Sequence, residues 1–233
     1  MNKEIFSRFI SLVGEENFNK LKNKKILVIG LGGVGGFLVD SLLRCGISNF
    51  TLIDPDKYSL SNLNRQLLSN INNVGKYKVD VFKEHILSIN ESASVEVKKL
   101  FYLPDNNDID FTKYDYVIDA IDTLKAKIDI IYKCHQNNVK VISALGCGNR
   151  MDPTSIEVTD IFKTINDPLA KRLRQELRKL NVKKHKVVYS KELSKKVVVD
   201  SSNNRHSPAS SIFVPSVCGI TIASVVIKEM LEL

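Results

Sequence analysis

The sequence predicts an α/β fold: a doubly wound, mostly parallel Rossmann-type sheet with a basic helix and hairpin extension and a C-terminal helix. Three observations lead there. Short apolar runs alternate with helix-length amphipathic segments through the first two thirds of the chain. Those runs are continuously apolar, as strands covered on both faces require. A glycine-rich turn, Gly30-Leu31-Gly32-Gly33-Val34-Gly35, stands where the first run gives way to a helix.

In chain order, residues 25–30 (KILVIG) read as a buried strand, 34–45 as a helix and 50–54 (FTLID) as the second strand. Residues 78–89 form a helix, because Val79, Phe82, Ile86 and Ile89 recur at spacings of three and four. A short strand at 95–97, a buried strand at 115–121, a helix at 124–136 and a strand at 139–144 complete the alternation. Residues 155–161 read as a strand. Asp167-Pro168 then starts a helix to residue 180, an N-cap acid followed by proline in the first helical position. Residues 186–190 and 197–199 are expected to form a basic hairpin, and 200–211 (DSSNNRHSPASS) a mobile loop. Residues 211–227 are apolar but shorter than the roughly 20 residues of a membrane span, and Pro215 lies near their start. They read as a buried C-terminal helix. One domain over 1–233 is expected, divided into a helical arm (1–24), a nucleotide-binding core (25–165), a basic insertion (166–211) and the last helix (212–233).

The composition, 43% hydrophobic and 26% charged, supports a core and excludes a collagen-like, mucin-like or wholly disordered chain. The formal charge is +8, which points to an anionic partner. The excess is local. Residues 163–205 hold 13 Lys and Arg against four Asp and Glu, a net of +9. The four cysteines, Cys45, Cys134, Cys147 and Cys218, have no C-x-x-C spacing, which argues against a zinc ribbon or a thioredoxin-type motif. Free thiols in a reducing cytoplasm are the expectation. The N-terminus has no signal-peptide core.

The chemistry begins at the glycine turn. Gly30, Gly32, Gly33 and Gly35 let the backbone approach phosphate at a helix N-terminus. Asp54, 24 residues after Gly30, ends the second strand where an acid can accept from ribose hydroxyls; that serves NAD and ATP equally. The next stretch departs from a dehydrogenase. Arg65, in SNLNRQ, and Lys78, after GKY, add cations near one phosphate site, as a triphosphate needs, and Asn62 and Gln66 add neutral polar groups beside them.

In order, GLGGVG, ID-x-D, SNLNRQ, VG-x-x-K and DAID resemble the ubiquitin-activating-enzyme-like (ThiF/MoeB/HesA) adenylating family over about residues 5–165. The resemblance implies that Asp54 holds the ribose, that Asn62, Arg65 and Lys78 contact the ATP phosphates, and that Asp122 holds magnesium. It also implies a homodimer in which Arg8 reaches the partner's site. Thr123 stands where the family often has Asn.

From Met151 to Glu192 the chain is similar to the tRNA threonylcarbamoyladenosine dehydratase branch, which adenylates the threonyl carboxylate of a modified tRNA adenosine and closes a ring with loss of AMP. The resemblance implies ATP and Mg2+ as cofactors and tRNA as substrate. Lys171, Arg172, Arg174, Arg178, Lys183, Lys184 and Lys186 are the candidate tRNA contacts, since a basic face gives affinity for phosphate. Cys147, in LGCG, is the one accessible thiol and is expected to pack rather than react; Cys45, Cys134 and Cys218 are expected in the core. No histidine is assigned a catalytic role. Two other readings stay open: an activator of a ubiquitin-like sulfur carrier, with cysteine-desulfurase or sulfur-acceptor partners, and a non-catalytic nucleotide-binding partner.

Overall fold

The computed structural model describes residues 3–105, 109–195 and 208–233. Two short helices, α1 (Ser7–Val13) and α2 (Glu15–Leu21), precede a parallel series: β1 (Lys25–Ile29), α3 (Gly35–Arg44), β2 (Asn49–Ile53), α4 (Lys78–Ile89), β3 (Ser94–Lys98), β4 (Tyr116–Asp119), α5 (Leu124–Gln136) and β5 (Val141–Ala144). Then come β6 (Ile156–Asp160), α6 (Pro168–Lys179), β7 (Lys186–Ser190) and α7 (Phe213–Leu231). The sheet order is β3-β2-β1-β4-β5-β7-β6, with only β6 antiparallel to its neighbour.

Strand periodicity builds the core. Ile26 and Val28 face one layer with Leu38, Leu42, Phe82, Ile222 and Val226; Leu27 and Ile29 face the other with Ala126 and Ile130. Each of the buried Val, Leu, Ile and Phe side chains contributes roughly 1.5–3 kcal/mol against exposure. α7 is long and apolar enough to cross a membrane by length and composition. Here it lies on α3 and the sheet, with Val214, Cys218, Ile222, Val226 and Leu231 buried. A helix apolar on most sides belongs in a core as readily as in lipid.

One expectation is corrected. Residues 186–190 are not an outlying hairpin arm, because both edges of β7 are taken by described strands. β7 is an interior strand, parallel to β5 and antiparallel to β6. Its physical reason is burial: Val187, Val188 and Tyr189 are almost wholly covered, as a strand with helices on both faces must be. Residues 197–199, and 200–207 of the expected loop, lie outside the described residues. Cys134 and Cys218 are buried as expected, whereas Cys45, capping the end of α3, is half-buried.

Candidate active site

At β1 the chain reverses direction across the sheet, with β2 on one side and β4 on the other. Such a switch point opens a crevice at the carboxyl ends of the strands. A cleft of about 990 Å³ lies there, lined by Gly30, Gly32, Gly33, Asp54, Asn62, Arg65, Gln66, Lys78 and Asp122. Distant sequence motifs therefore meet in one cavity. Gly30 has φ +98°, a left-handed conformation that suits glycine. α3 begins without a side-chain cap, and the amides of Gly32, Gly33 and Val34 donate to nothing among the described residues. A Cβ on Gly32 would meet only open space. These amides fit a phosphate. Gly35 does not line the cleft. A side chain there would overlap the Gly30 carbonyl oxygen, so this glycine serves the close approach of helix to strand.

Asp54 is buried at the end of β2. Its Oδ2 accepts the Leu31 N–H at 2.7 Å and its Oδ1 the Asp56 N–H at 2.8 Å. The carboxylate thus ties the glycine turn to the second strand and keeps lone pairs for a ligand. Burial pushes its pKa up, while Lys78 and the two amides pull the other way. The Lys78 ammonium, also buried, sits 2.9 Å from Asp56 Oδ2 and 3.9 Å from Asp54 Oδ1. Arg65 Nη1 donates to the Ser61 carbonyl at 2.6 Å and to Asn64 Oδ1 at 2.9 Å. Asn62 Oδ1 accepts the Ser59 N–H at 3.1 Å, closing a capping box. The Gln66 side-chain oxygen is buried without a donor among the described residues, a position a ligand hydroxyl or amine would satisfy.

Asp122 is exposed in the cleft and makes no hydrogen bond or ion pair among the described residues. It does not cap α5; Thr123 stands at the N-cap and makes no side-chain cap bond. Asp119, first acid of the same motif, points inward instead and pairs with Lys127 at 2.8 Å, both fully buried. The sequence reading missed this pair. Its signal was a lysine in the otherwise apolar face of α5.

The far wall is the turn after β5, where Leu145, Gly146, Cys147 and Gly148 line the cleft beside Pro208 and Ala209. Arg150, also missed, is buried behind it. Its guanidinium donates to the carbonyls of Gly146, Gly148 (3.2 Å) and Asn166 (3.1 Å), and its Nε to Glu192 at 2.9 Å. Cys147 Sγ donates to the Leu145 carbonyl at 3.3 Å and contacts the buried Cys218 thiol.

The structure does not bring every candidate to the cleft. Arg8 is exposed on α1 and lines no part of it. On α6, Lys171 and Arg172 are exposed, but Arg174 is turned inward to the Thr164 carbonyl (3.0 Å) and hydroxyl, and Arg178 lies 5.4 Å over the Phe162 ring. Lys183 and Lys184 are exposed at the amino end of β7, away from the carboxyl ends that form the cleft, and Lys186 pairs with Glu229.

Residues 6–232 match the ThiF family. The chain belongs to the ThiF family. Within it, this ThiF-family chain is 37% identical to the tRNA threonylcarbamoyladenosine dehydratase of Bacillus subtilis (strain 168), across 97% of this chain and 94% of that one. The same-named protein of Escherichia coli (strain K12) is 40% identical over 76% of this chain, and that alignment covers 66% of the relative. For the Haemophilus influenzae relative the covered share is 63%. Crystal structures of E. coli tRNA N6-threonylcarbamoyladenosine dehydratase, TcdA, superpose with TM-score 0.87 for the AMP complex and 0.86 for the ATP complex, each at 33% identity over 99% of this chain and 95% of the other.

Proposed function

We propose that this protein is an ATP-dependent tRNA threonylcarbamoyladenosine dehydratase. The observation that carries this is the convergence of the uncapped glycine turn, Asp54, Asn62, Arg65, Gln66, Lys78 and Asp122 in one cleft, in a chain similar along nearly its whole length to a dehydratase of that name. The turn amides, Arg65 and Lys78 would hold the phosphates, and Asp54 the ribose. Asp122 fits magnesium, which needs one or two carboxylates beside phosphates and water; bound there, the ion would neutralise phosphate charge. A substrate carboxylate oxygen attacks the α-phosphorus and pyrophosphate leaves. A heteroatom of the substrate's own carbamoyl group then attacks the acyl carbon, AMP departs with the carboxylate oxygen, and one proton is released. Intramolecular capture supplies a large rate factor without a dedicated base.

Lys171 and Arg172, outward on α6, are the best-placed tRNA contacts, with Lys183 and Lys184 beyond them; Arg174, Arg178 and Lys186 have protein partners already. A homodimer in which Arg8 completes the partner's site accounts for an arginine with no partner in its own described chain. The four free thiols suit the cytoplasm. The test is AMP and pyrophosphate release from ATP on adding tRNA that carries threonylcarbamoyladenosine, with mass spectrometry of the product nucleoside. Exchange of pyrophosphate into ATP with a small protein ending in Gly-Gly, and none with tRNA, would favour the sulfur-carrier reading.

A further inference from the structure

We infer that the turn Gly146-Cys147-Gly148 seats the substrate carboxylate through its backbone amides, and that Arg150 is the positioning residue that aims them. The inference rests on the dehydratase reading and deepens it, since a nucleotide cleft by itself says nothing of where the acid to be activated sits.

The turn lies at the end of β5, two strands along the sheet from the glycine turn at the end of β1, and both border one cleft. The N–H groups of Gly146, Cys147 and Gly148 donate to nothing among the described residues. Their direction follows from Arg150. Its guanidinium draws the carbonyls of Gly146 and Gly148 inward. In a trans peptide the C=O and the following N–H point opposite ways. The Cys147 N–H is therefore turned away from Arg150, and so is the Asn149 N–H. The latter meets the Ala209 carbonyl at 2.7 Å, and Ala209 is a cleft residue. The Cys147 N–H thus emerges on the cleft side and meets no acceptor among the described residues.

Two left-handed residues bracket the turn, Gly146 at φ +43° and Asn149 at φ +58°. Changes of hand of this kind gather successive amides into an anion-binding concavity. A side chain on Gly146 would collide with the Asp167 carboxylate, so the turn is built to its present shape. Arg150 is 4% exposed, and its nitrogens are taken by the carbonyls of Gly146, Gly148, Asn166 and Glu192, with Asp167 at 4.0 Å. It does not reach the ligand; it fixes the turn and leaves positive charge behind it, partly balanced by Asp167.

This arrangement suits both steps. Amides holding one carboxylate oxygen leave the other free to attack the α-phosphorus. On the acyl adenylate the held oxygen becomes the carbonyl oxygen. It takes up negative charge as the ring closes, where fixed N–H donors matter most.

The test uses anticodon stem-loop RNA bearing the threonylcarbamoyl group either with its free carboxylate or as the methyl ester. Cys147→Ala protein, which keeps the N–H, is compared with protein carrying lactic acid at 147, which replaces that N–H by an ester oxygen. The Cys147→Ala protein should bind the acid more tightly than the ester, and the lactate protein should lose about tenfold to hundredfold of that preference, the worth of a hydrogen bond to a charged group. Affinity for ATP and for the methyl ester RNA should match between the two proteins. Arg150→Met should lose the preference in the same direction. If both keep the acid-to-ester ratio within about twofold while the acid RNA still yields AMP, the inference is overturned and the dehydratase reading stands. If the acid RNA yields no AMP with unaltered protein, the dehydratase reading falls and the inference with it.

Discussion

At the scale of a single residue, the proposed nucleotide site turns on Lys78. Its buried ammonium now leans on Asp56 at 2.9 Å and Asp54 at 3.9 Å, and a triphosphate would replace those partners with stronger ones. Lys78→Ala should weaken ATP binding by about tenfold to hundredfold, read by calorimetry. Tight ATP binding by that variant, or NAD bound in place of ATP, would count against the site. Asp122→Ala should leave metal-free ATP binding nearly unchanged and remove the gain on adding magnesium. His185 gives a separate prediction, because burial, with His135 and Lys127 nearby, pushes its pKa down to about 3. Below its unfolded value near 6.5 the unfolded chain takes up a proton that the folded chain refuses. The stability from keeping His185 neutral is present above pH 6.5 and is lost as pH falls toward 3, at up to about 1.4 kcal/mol per unit. Urea melts of wild type and His185→Gln at pH 7 and pH 5 check this. The variant should lose less stability on acidification, and equal losses would refute it.

Helix α6 shows how one element divides a run of charge. Its start was legible: Asp167 caps it, Oδ1 accepting the Ala170 N–H at 2.9 Å, with Pro168 next. Its buried face holds Leu173 and Leu177, four residues apart as one helix face requires. Which arginines face solvent was less legible, because Arg174 borders that face and bonds Thr164. Replacing Lys171 and Arg172 by Gln should flatten the log–log salt dependence of tRNA affinity by roughly 1.4 to 1.8 if both touch phosphate. Arg174→Gln should lower the melting temperature and leave that slope alone. Salt titrations of the two proteins separate these outcomes, and an unchanged slope in the double variant would return α6 to a merely solvated face.

For the whole molecule, the prediction concerns assembly. Arg8 lies outside the cleft of its own chain, so a site that uses it must be shared. Arg8→Ala and Lys78→Ala proteins, each inactive alone, should regain part of their activity when mixed under conditions that exchange subunits, since some mixed dimers carry one intact site. Mixtures that stay inactive after exchange is demonstrated by mass spectrometry would show that Arg8 acts within its own chain or not at all.

The sequence by itself determined the alternation of strands and helices, and the bounds of α4 and α5 to the residue, because apolar periodicity and turn chemistry are local. It also determined the order of the motifs that meet in one wall of the cleft. The order of β5, β7 and β6 was decided only by the tertiary structure. Strand pairing is a contact between distant segments, and the apolar run 187–189 fits a hairpin or an interior strand equally well. Tertiary structure also separated Asp119, buried against Lys127, from Asp122, exposed in the cleft three residues on. It retired Gly35 from the cleft to a packing contact. And it brought Arg150 behind the Gly146–Gly148 turn through bonds that reach to Asn166 and Glu192. Those partners are carbonyl oxygens, which every residue carries, so nothing in the side-chain sequence marks them.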